Sequence, residues 1–134
     1  QVVAAVRGVS SGAFETFVGE QEKVEYSDRL LIELKQKLVD AKARILESIQ
    51  FVKTKPASYL DLAGRKLVDS AITVIIGHLF LGQARTNDRK KRVARRFIES
   101  QLPVLRMNCE QIFAGDTAAM DEYELLAGPV PSND

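Results

Sequence analysis

The sequence has few of the residues from which catalytic and metal sites are usually built. It contains one His, one Cys and no Trp, and aromatic residues make up 7% of the chain. A single cysteine cannot form an intrachain disulfide and favours a reducing compartment, so we expect a cytoplasmic protein. One His and one Cys are too few for a tetrahedral zinc site or for the paired Glu-x-x-His motifs of a di-iron bundle.

A strong excess of charge and a phosphate-binding loop are missing as well. The net charge is +1, which favours neither a nucleic-acid-binding protein nor one specialised by an acidic surface. The glycines do not form GxGxxG after a strand, and GxxxxGK[ST] does not occur. The motifs therefore do not indicate nucleotide binding, and nucleic acid is not an expected partner.

Helical periodicity dominates what the sequence does contain. It shows no sustained alternation of apolar and polar residues and no Asn-Gly or Asp-Gly turn. We expect an all-α antiparallel helical bundle of three long helices with short flanking helices over residues 13–128. Residues 1–12 are expected to be a linker or frayed segment, and residues 129–134 a disordered tail. The predicted helices are 13–21, 27 to about 53–55, 58 to about 85, 89 to about 115, and a short one after Asp116 or Thr117.

The second predicted helix has the clearest core-facing side. Ser27 can cap it, and Asp28 places a carboxylate in its first turn. Its apolar residues recur at spacings of three and four: Leu31, Leu34, Leu38, Ala41, Ile45, Ile49 and Val52. The short first helix places Phe14, Phe17 and Val18 on one side.

The third predicted helix, capped by Ser58, is apolar nearly all round in its second half. We therefore expect it to be the most buried element. Its longest apolar run is too short and too close to charged residues to suggest a bilayer span. Gly64, Gly77 and Gly82 are expected to mark close approaches between helices rather than breaks.

The fourth predicted helix contains Pro103, which lacks an N–H and clashes with the carbonyl of Glu99. Apolar residues continue at helical spacing on both sides of it: Val93, Ala94, Phe97, Ile98, Leu102, Leu105, Met107, Cys109, Ile112 and Phe113. We predict a kinked but continuous helix, because tertiary packing can offset the proline.

Two residues with reactive side chains lie in these apolar helices. For His78, a buried or rim histidine bonded to a neighbour is favoured over a catalytic base. For Cys109, a small core residue is favoured over a nucleophile, since no positive pocket is indicated around it. We assign no catalytic, cofactor-binding or metal-binding residue.

Basic residues are concentrated at the start of the fourth predicted helix, where positive charge interacts unfavourably with the helix dipole. The six residues are Arg89, Lys90, Lys91, Arg92, Arg95 and Arg96, here called the basic cluster. It is a candidate contact for an anionic partner, namely phosphate groups or an anionic membrane surface. A solvated face paired with acidic residues of neighbouring helices is the favoured alternative, given the net charge and the lack of interleaved aromatics.

Two stretches resemble the C-terminal extension of acyl-CoA dehydrogenases. "YLDLAGRKLVDSAITVIIGHLFLGQA" (Tyr59–Ala84) resembles the helix that opens the extension. "RRFIESQLPVLRMNCEQIFAGD" (Arg95–Asp116) is similar to its next helix, through an Ala-Arg-x-Phe start, Leu102-Pro103 and Ala114-Gly115. The likeness covers about residues 13–115, the first half by helix order alone. The basic run Arg89–Arg92 departs from the family pattern.

The resemblance implies a non-catalytic domain of a flavoenzyme that introduces a double bond between the α and β carbons of an acyl-CoA. Its FAD and its glutamate base would belong to a preceding catalytic body, on which the domain packs while contributing to oligomerisation. A chain that begins at Gln1 fits an excised domain. The alternative is a free-standing helical interaction or adaptor module that docks a partner through the face of the second predicted helix or, for an anionic partner, through the basic cluster. A membrane surface is a less favoured partner.

Overall fold

The computed structural model describes residues 12–114, which form four α-helices joined by short turns. These are α1 (Ala13–Glu22), α2 (Arg29–Lys53), α3 (Ala57–Ala84) and α4 (Asp88–Phe113). The long helices α2, α3 and α4 all pack on one another, and α1 packs on α3. The predicted all-α bundle is confirmed for this part of the chain. The predicted last helix, the tail and residues 1–11 of the linker lie outside the described residues.

The predicted N-terminal caps of α2 and α3 both need correction. Asp28, rather than Ser27, caps α2: its carboxylate accepts from Leu30 N at 2.8 Å and Leu31 N at 3.3 Å. Two backbone N–H donors are thereby satisfied by a charged acceptor. The predicted Ser58 cap of α3 is wrong, because α3 begins one residue earlier with Pro56 at the N-cap position and no side-chain cap.

The predicted stripe of α2 forms the centre of the core. All seven of its residues are buried, and Leu38 and Ile45 are completely inaccessible. From α3 the core receives Leu67, Val74 and Leu81, and from α4 it receives Ala94, Ile98, Leu102, Leu105, Cys109 and Ile112. α1 adds Phe14 and Val18, whereas Phe17 is 42% exposed, so the prediction for that residue is wrong.

Helix α3 lies close to α2 at Gly77. A Cβ at this position would lie 2.8 Å from Leu38 Cδ2 and 3.1 Å from Leu38 Cδ1. The close approach predicted for this glycine is confirmed. At Gly82 nothing lies within 4 Å of the added Cβ, so the same prediction is wrong there.

Helix α3 has the most buried residues of the four helices, as predicted, but it is not buried all round. Ile72 is 46% exposed and Leu79 is 45% exposed. The helix is long and apolar enough to cross a membrane by length and composition, contrary to the expectation from its apolar run. Since 44% of its most apolar window is buried inside the bundle, its apolar character serves the core on one side.

Helix α4 runs through Pro103 without interruption, so its predicted continuity is confirmed. Proline breaks only the bond to the carbonyl of Glu99, and Leu102 and Leu105 beside it are both buried. Three residues predicted for the apolar side of the helix are instead exposed, namely Val93, Met107 and Phe113. The bend expected at Pro103 stays a prediction.

Candidate functional site

The basic cluster occupies the first three turns of α4. Asn87 caps this helix: its side-chain oxygen accepts from Arg89 N at 3.0 Å and from Lys90 N at 3.3 Å. Asp88 adds a carboxylate in the first turn. These two residues offset part of the unfavourable interaction between the cations and the helix dipole.

Lys91 differs from the other members of the basic cluster because it forms two ion pairs. Its Nζ lies 2.5 Å from Asp28 Oδ2 and 3.3 Å from Asp88 Oδ1. The hydrogen bond with Lys91 is the main reason that the pKa of the Asp28 carboxyl is lowered, and the same bond raises the pKa of Lys91. Lys91 therefore joins the start of α4 to the cap of α2. The sequence held no signal for this pair, since its members are 63 residues apart.

The other five cations divide into a paired arginine and four without ion pairs. Arg95 Nε lies 3.2 Å from Glu99 Oε2, one helical turn away. Arg89, Lys90, Arg92 and Arg96 make no ion pair within residues 12–114. Arg92, Arg95 and Arg96 line one shallow concavity together with Glu99 and Ser100. The favoured pairing with acidic residues of neighbouring helices thus holds for Lys91, whereas Arg95 pairs within its own helix. A role for the other four cations stays a prediction.

His78 lies in the core between the helices, and its surroundings correct the prediction. The residue is 1% exposed, and neither Nδ1 nor Nε2 has a hydrogen-bond partner, so it is not bonded to a neighbour. Burial lowers the pKa of His78 from 6.5 to about 4. The imidazole is consequently neutral near pH 7, held by packing rather than by polar contacts.

A charged pair that the sequence did not reveal lies on the α1 side of His78. Glu22 Oε1 of α1 is 2.9 Å from Lys42 Nζ of α2, while Glu22 Oε2 is buried without a partner. Nearby, Lys35 Nζ donates to the carbonyl of Val24 at 2.9 Å. The Glu22 carboxylate opposes the lowering of the His78 pKa, and the two lysines add to it. This arrangement ties α1 to α2 across α3.

Cys109 lies in the core as predicted. It is 2% exposed, and burial raises the pKa of its thiol. A raised thiol pKa leaves little of the nucleophilic thiolate. Within residues 12–114, moreover, no three His, Cys, Asp or Glu side chains are grouped closely enough to hold a metal ion.

Helix α3 carries an apolar surface beside its buried side. Its members are exposed or half-buried and lie within one side of the helix, with Ile75 at the edge that packs against the core: Val68, Ile72, Ile75, Ile76 and Leu79. We call this surface the outer α3 face. An apolar stripe of this kind typically marks a contact with another protein surface.

Taken together, the fold and these surfaces define a helical packing domain. Helices α2, α3 and α4 form its core, the short helix α1 packs on α3, and α3 carries an exposed apolar face. Its family is given by its sequence. Residues 10–102, more than half of the chain, match the family described as Acyl-CoA dehydrogenase C terminal, and the chain belongs to that family. The match includes the whole Tyr59–Ala84 stretch but ends at Leu102, so Pro103 and the Ala114-Gly115 ending lie beyond it.

The fold has a counterpart among solved structures. The crystal structure of the acyl-CoA dehydrogenase family protein from Porphyromonas gingivalis superposes with a TM-score of 0.75 at 23% sequence identity. The superposition covers 83% of this chain and 97% of that one. At this identity the likeness shows a shared fold. No curated protein matches the sequence.

Proposed function

We propose that the chain serves as the non-catalytic C-terminal domain of an FAD-dependent acyl-CoA dehydrogenase, packing on the catalytic body and contributing to oligomerisation. The outer α3 face carries this proposal. Family membership supplies the partner, and the exposed apolar side chains supply a surface for it. Covering Ile72 and Leu79, each nearly half exposed, would contribute about 1 kcal/mol per residue.

FAD belongs to the body in this proposal because the described residues do not fit it. A dinucleotide is usually cradled by a glycine-rich loop between a strand and a helix. Residues 12–114 contain four helices and no strand, and their concavities are surface grooves along helices. Accordingly, the role of this domain is to bind and orient the body, and no step of the oxidation is assigned to its side chains.

A binding measurement tests the packing surface. The catalytic body encoded upstream in the same reading frame is mixed with residues 1–134, and the affinity is measured by calorimetry. Ile72→Asp with Leu79→Asp should weaken binding more than about ten-fold, because two apolar contacts are lost and two carboxylates are buried. The matched control is Ile32→Asp, which alters an equally exposed residue on α2.

Three outcomes would contradict the proposal. One is an upstream reading frame that does not encode a dehydrogenase body. Another is equal weakening by Ile32→Asp and by the α3 variants, which would remove the role of the outer α3 face. The third is tight, stoichiometric FAD binding by residues 1–134 alone, observed as flavin absorbance after gel filtration.

The unpaired cations of the basic cluster favour a second candidate, a free-standing module that binds an anionic partner. Reversing the charge of Arg92, Arg95 and Arg96 to Glu should abolish co-sedimentation with anionic liposomes at low salt. The control reverses Lys53, Lys55 and Arg65, which changes the net charge equally at sites outside the cluster. Absence of any liposome binding by the unmodified chain would dismiss this candidate.

A further inference from the structure

A groove between α2 and α4 combines an apolar floor with unpaired cations. It measures about 340 Å³ and is floored by Ala41, Ile98, Leu102 and Leu105, all of them buried. Lys37, Arg44 and Arg106 line its rim and make no ion pair within residues 12–114. We call this feature the α2–α4 groove.

The two carboxylates at the rim have other partners. Asp40 Oδ1 accepts from Gln36 Nε2 at 3.0 Å. Glu99 Oε2 accepts from Arg95 Nε at 3.2 Å. Arg95 neutralises Glu99, whereas the neutral Gln36 amide leaves the charge of Asp40 in place, so among residues 12–114 the rim carries three unpaired cations and one unpaired carboxylate. The surface is therefore locally positive, which is complementary to an acidic segment that also carries apolar residues.

The chain itself contains a segment of that composition. All 19 Lys and Arg residues lie within residues 1–114, together with 13 Asp and Glu, which gives that part a net charge of +6. Residues 115–134 carry five acidic residues and no basic one. Within them, Asp121, Glu122 and Glu124 alternate with the apolar Met120, Tyr123, Leu125 and Leu126. We call Met120–Leu126 the acidic segment.

The acidic segment is within reach of the groove. Helix α4 ends at Phe113, and Arg106 lies seven residues earlier, or about 10 Å along the axis. The acidic segment begins seven residues after Phe113. Seven extended residues span up to about 24 Å, which exceeds both the distance to Arg106 and the roughly 17 Å along α4 from Phe113 back to Leu102.

We propose that the acidic segment lies in the α2–α4 groove of its own chain. Its carboxylates pair with Lys37, Arg44 and Arg106, and its apolar residues contact Pro103, which lines the groove and is exposed. The opposite charges of residues 1–114 and 115–134 are then neutralised within one molecule.

Paramagnetic relaxation in the full 134-residue chain tests the proposal. A spin label is attached at Ala127→Cys in a Cys109→Ala background, so that the only thiol lies directly after the acidic segment. The amide signals of Ala41 and Leu102 should lose intensity at low salt. They should recover near about 1 M salt, where the Debye length is only ~3 Å.

Charge variants test whether ion pairs hold the acidic segment in the groove or whether the segment only lies near it. Neutralising Asp121, Glu122 and Glu124 to Asn, Gln and Gln should restore the groove signals, whereas Asp134→Asn should not. Reversing Arg44 and Arg106 to Glu should also restore them. Adding Lys at positions 121, 122 and 124 to that reversed groove should bring the intensity loss back.

Three results would overturn the proposal. The first is an unchanged groove spectrum in the labelled chain at low salt. The second is intensity loss centred on residues 89–96 instead of the groove. The third is loss that appears only between labelled and unlabelled molecules in a mixture, which would assign the contact to a second copy.

Discussion

Acidification should destabilise this domain through one side chain. His78 is the sole imidazole in the chain, and burial lowers its pKa from 6.5 to about 4. In the unfolded chain it takes up a proton as the pH falls below about 6.5, whereas in the fold it stays neutral until about pH 4. Its neutral form thus contributes stability that is complete above the unfolded pKa and is lost progressively between these two values.

The size of the effect follows from the shift. The whole window corresponds to about 3 kcal/mol, and the part between roughly pH 7.5 and pH 5 to about 2 kcal/mol. Urea denaturation at these two pH values measures it directly. Most carboxylates titrate below this range, so the imidazole dominates the difference.

Replacement of the imidazole provides the test. His78→Leu should remove the pH dependence between roughly pH 7.5 and pH 5, since no other histidine exists. It should also leave the domain at least as stable near pH 7, because two unpartnered ring nitrogens disappear from the core. Val74→Ala, a cavity-forming change in the same helix, should lower stability at both pH values and keep the original slope.

Two results would refute this reasoning. Parallel stability profiles of the unmodified chain and His78→Leu would mean that the imidazole titrates equally in both states. An NMR titration of the His78 ring with a midpoint near 6.5 would mean that burial does not suppress its charge. Such a midpoint would place the Glu22 carboxylate, which raises this pKa, above burial in importance.

Substitutions at four further positions should alter the stability of the domain, some raising it and others lowering it. Gly82→Ala should raise the free energy of unfolding by up to ~1 kcal/mol, because alanine favours the helix and its Cβ meets no neighbour. Gly77→Ala should lower the free energy of unfolding by about 1 kcal/mol, because its Cβ meets the buried Leu38 of α2 at 2.8 Å. Equal effects of the two variants in urea denaturation would contradict this. Pro103→Ala should raise the thermal midpoint, since α4 regains a hydrogen bond, and an unchanged midpoint would argue that the helix is already adapted to proline. Asp28→Ala should destabilise more than Asp28→Asn, which keeps a cap but loses the Lys91 ion pair; equal losses would reduce the role of the cap.

The sequence predicts the core of α2 because spacing alone decides which side of an amphipathic helix is buried. The same reasoning fails for α3, whose apolar residues surround the helix in its second half. Ile72 and Val74 are chemically alike, yet the first is 46% exposed and the second is fully buried. Only the positions of the neighbouring helices separate them, and these positions are not encoded in the pattern of one segment.

The candidate site shows a similar division. Asn87 could be identified as a cap from its position before the basic run. The capture of Lys91 by Asp28 could not, because it joins residues from two helices that only the tertiary fold brings together. The same holds for Glu22 and Lys42, whose pairing depends on where α1 lies.

Helix α1 has a consequence for the time scale on which His78 meets water. This helix has ten residues and two buried side chains, Phe14 and Val18, and a helix of this length is marginal without its packing. It should therefore open more often than the rest of the bundle, as hydrogen exchange of its amides would show. Because α1 packs on α3 and its Glu22 acts on His78, each opening should expose the surface of α3 beside the imidazole. The rate of proton uptake by His78 would then depend on how often α1, the shortest helix, opens.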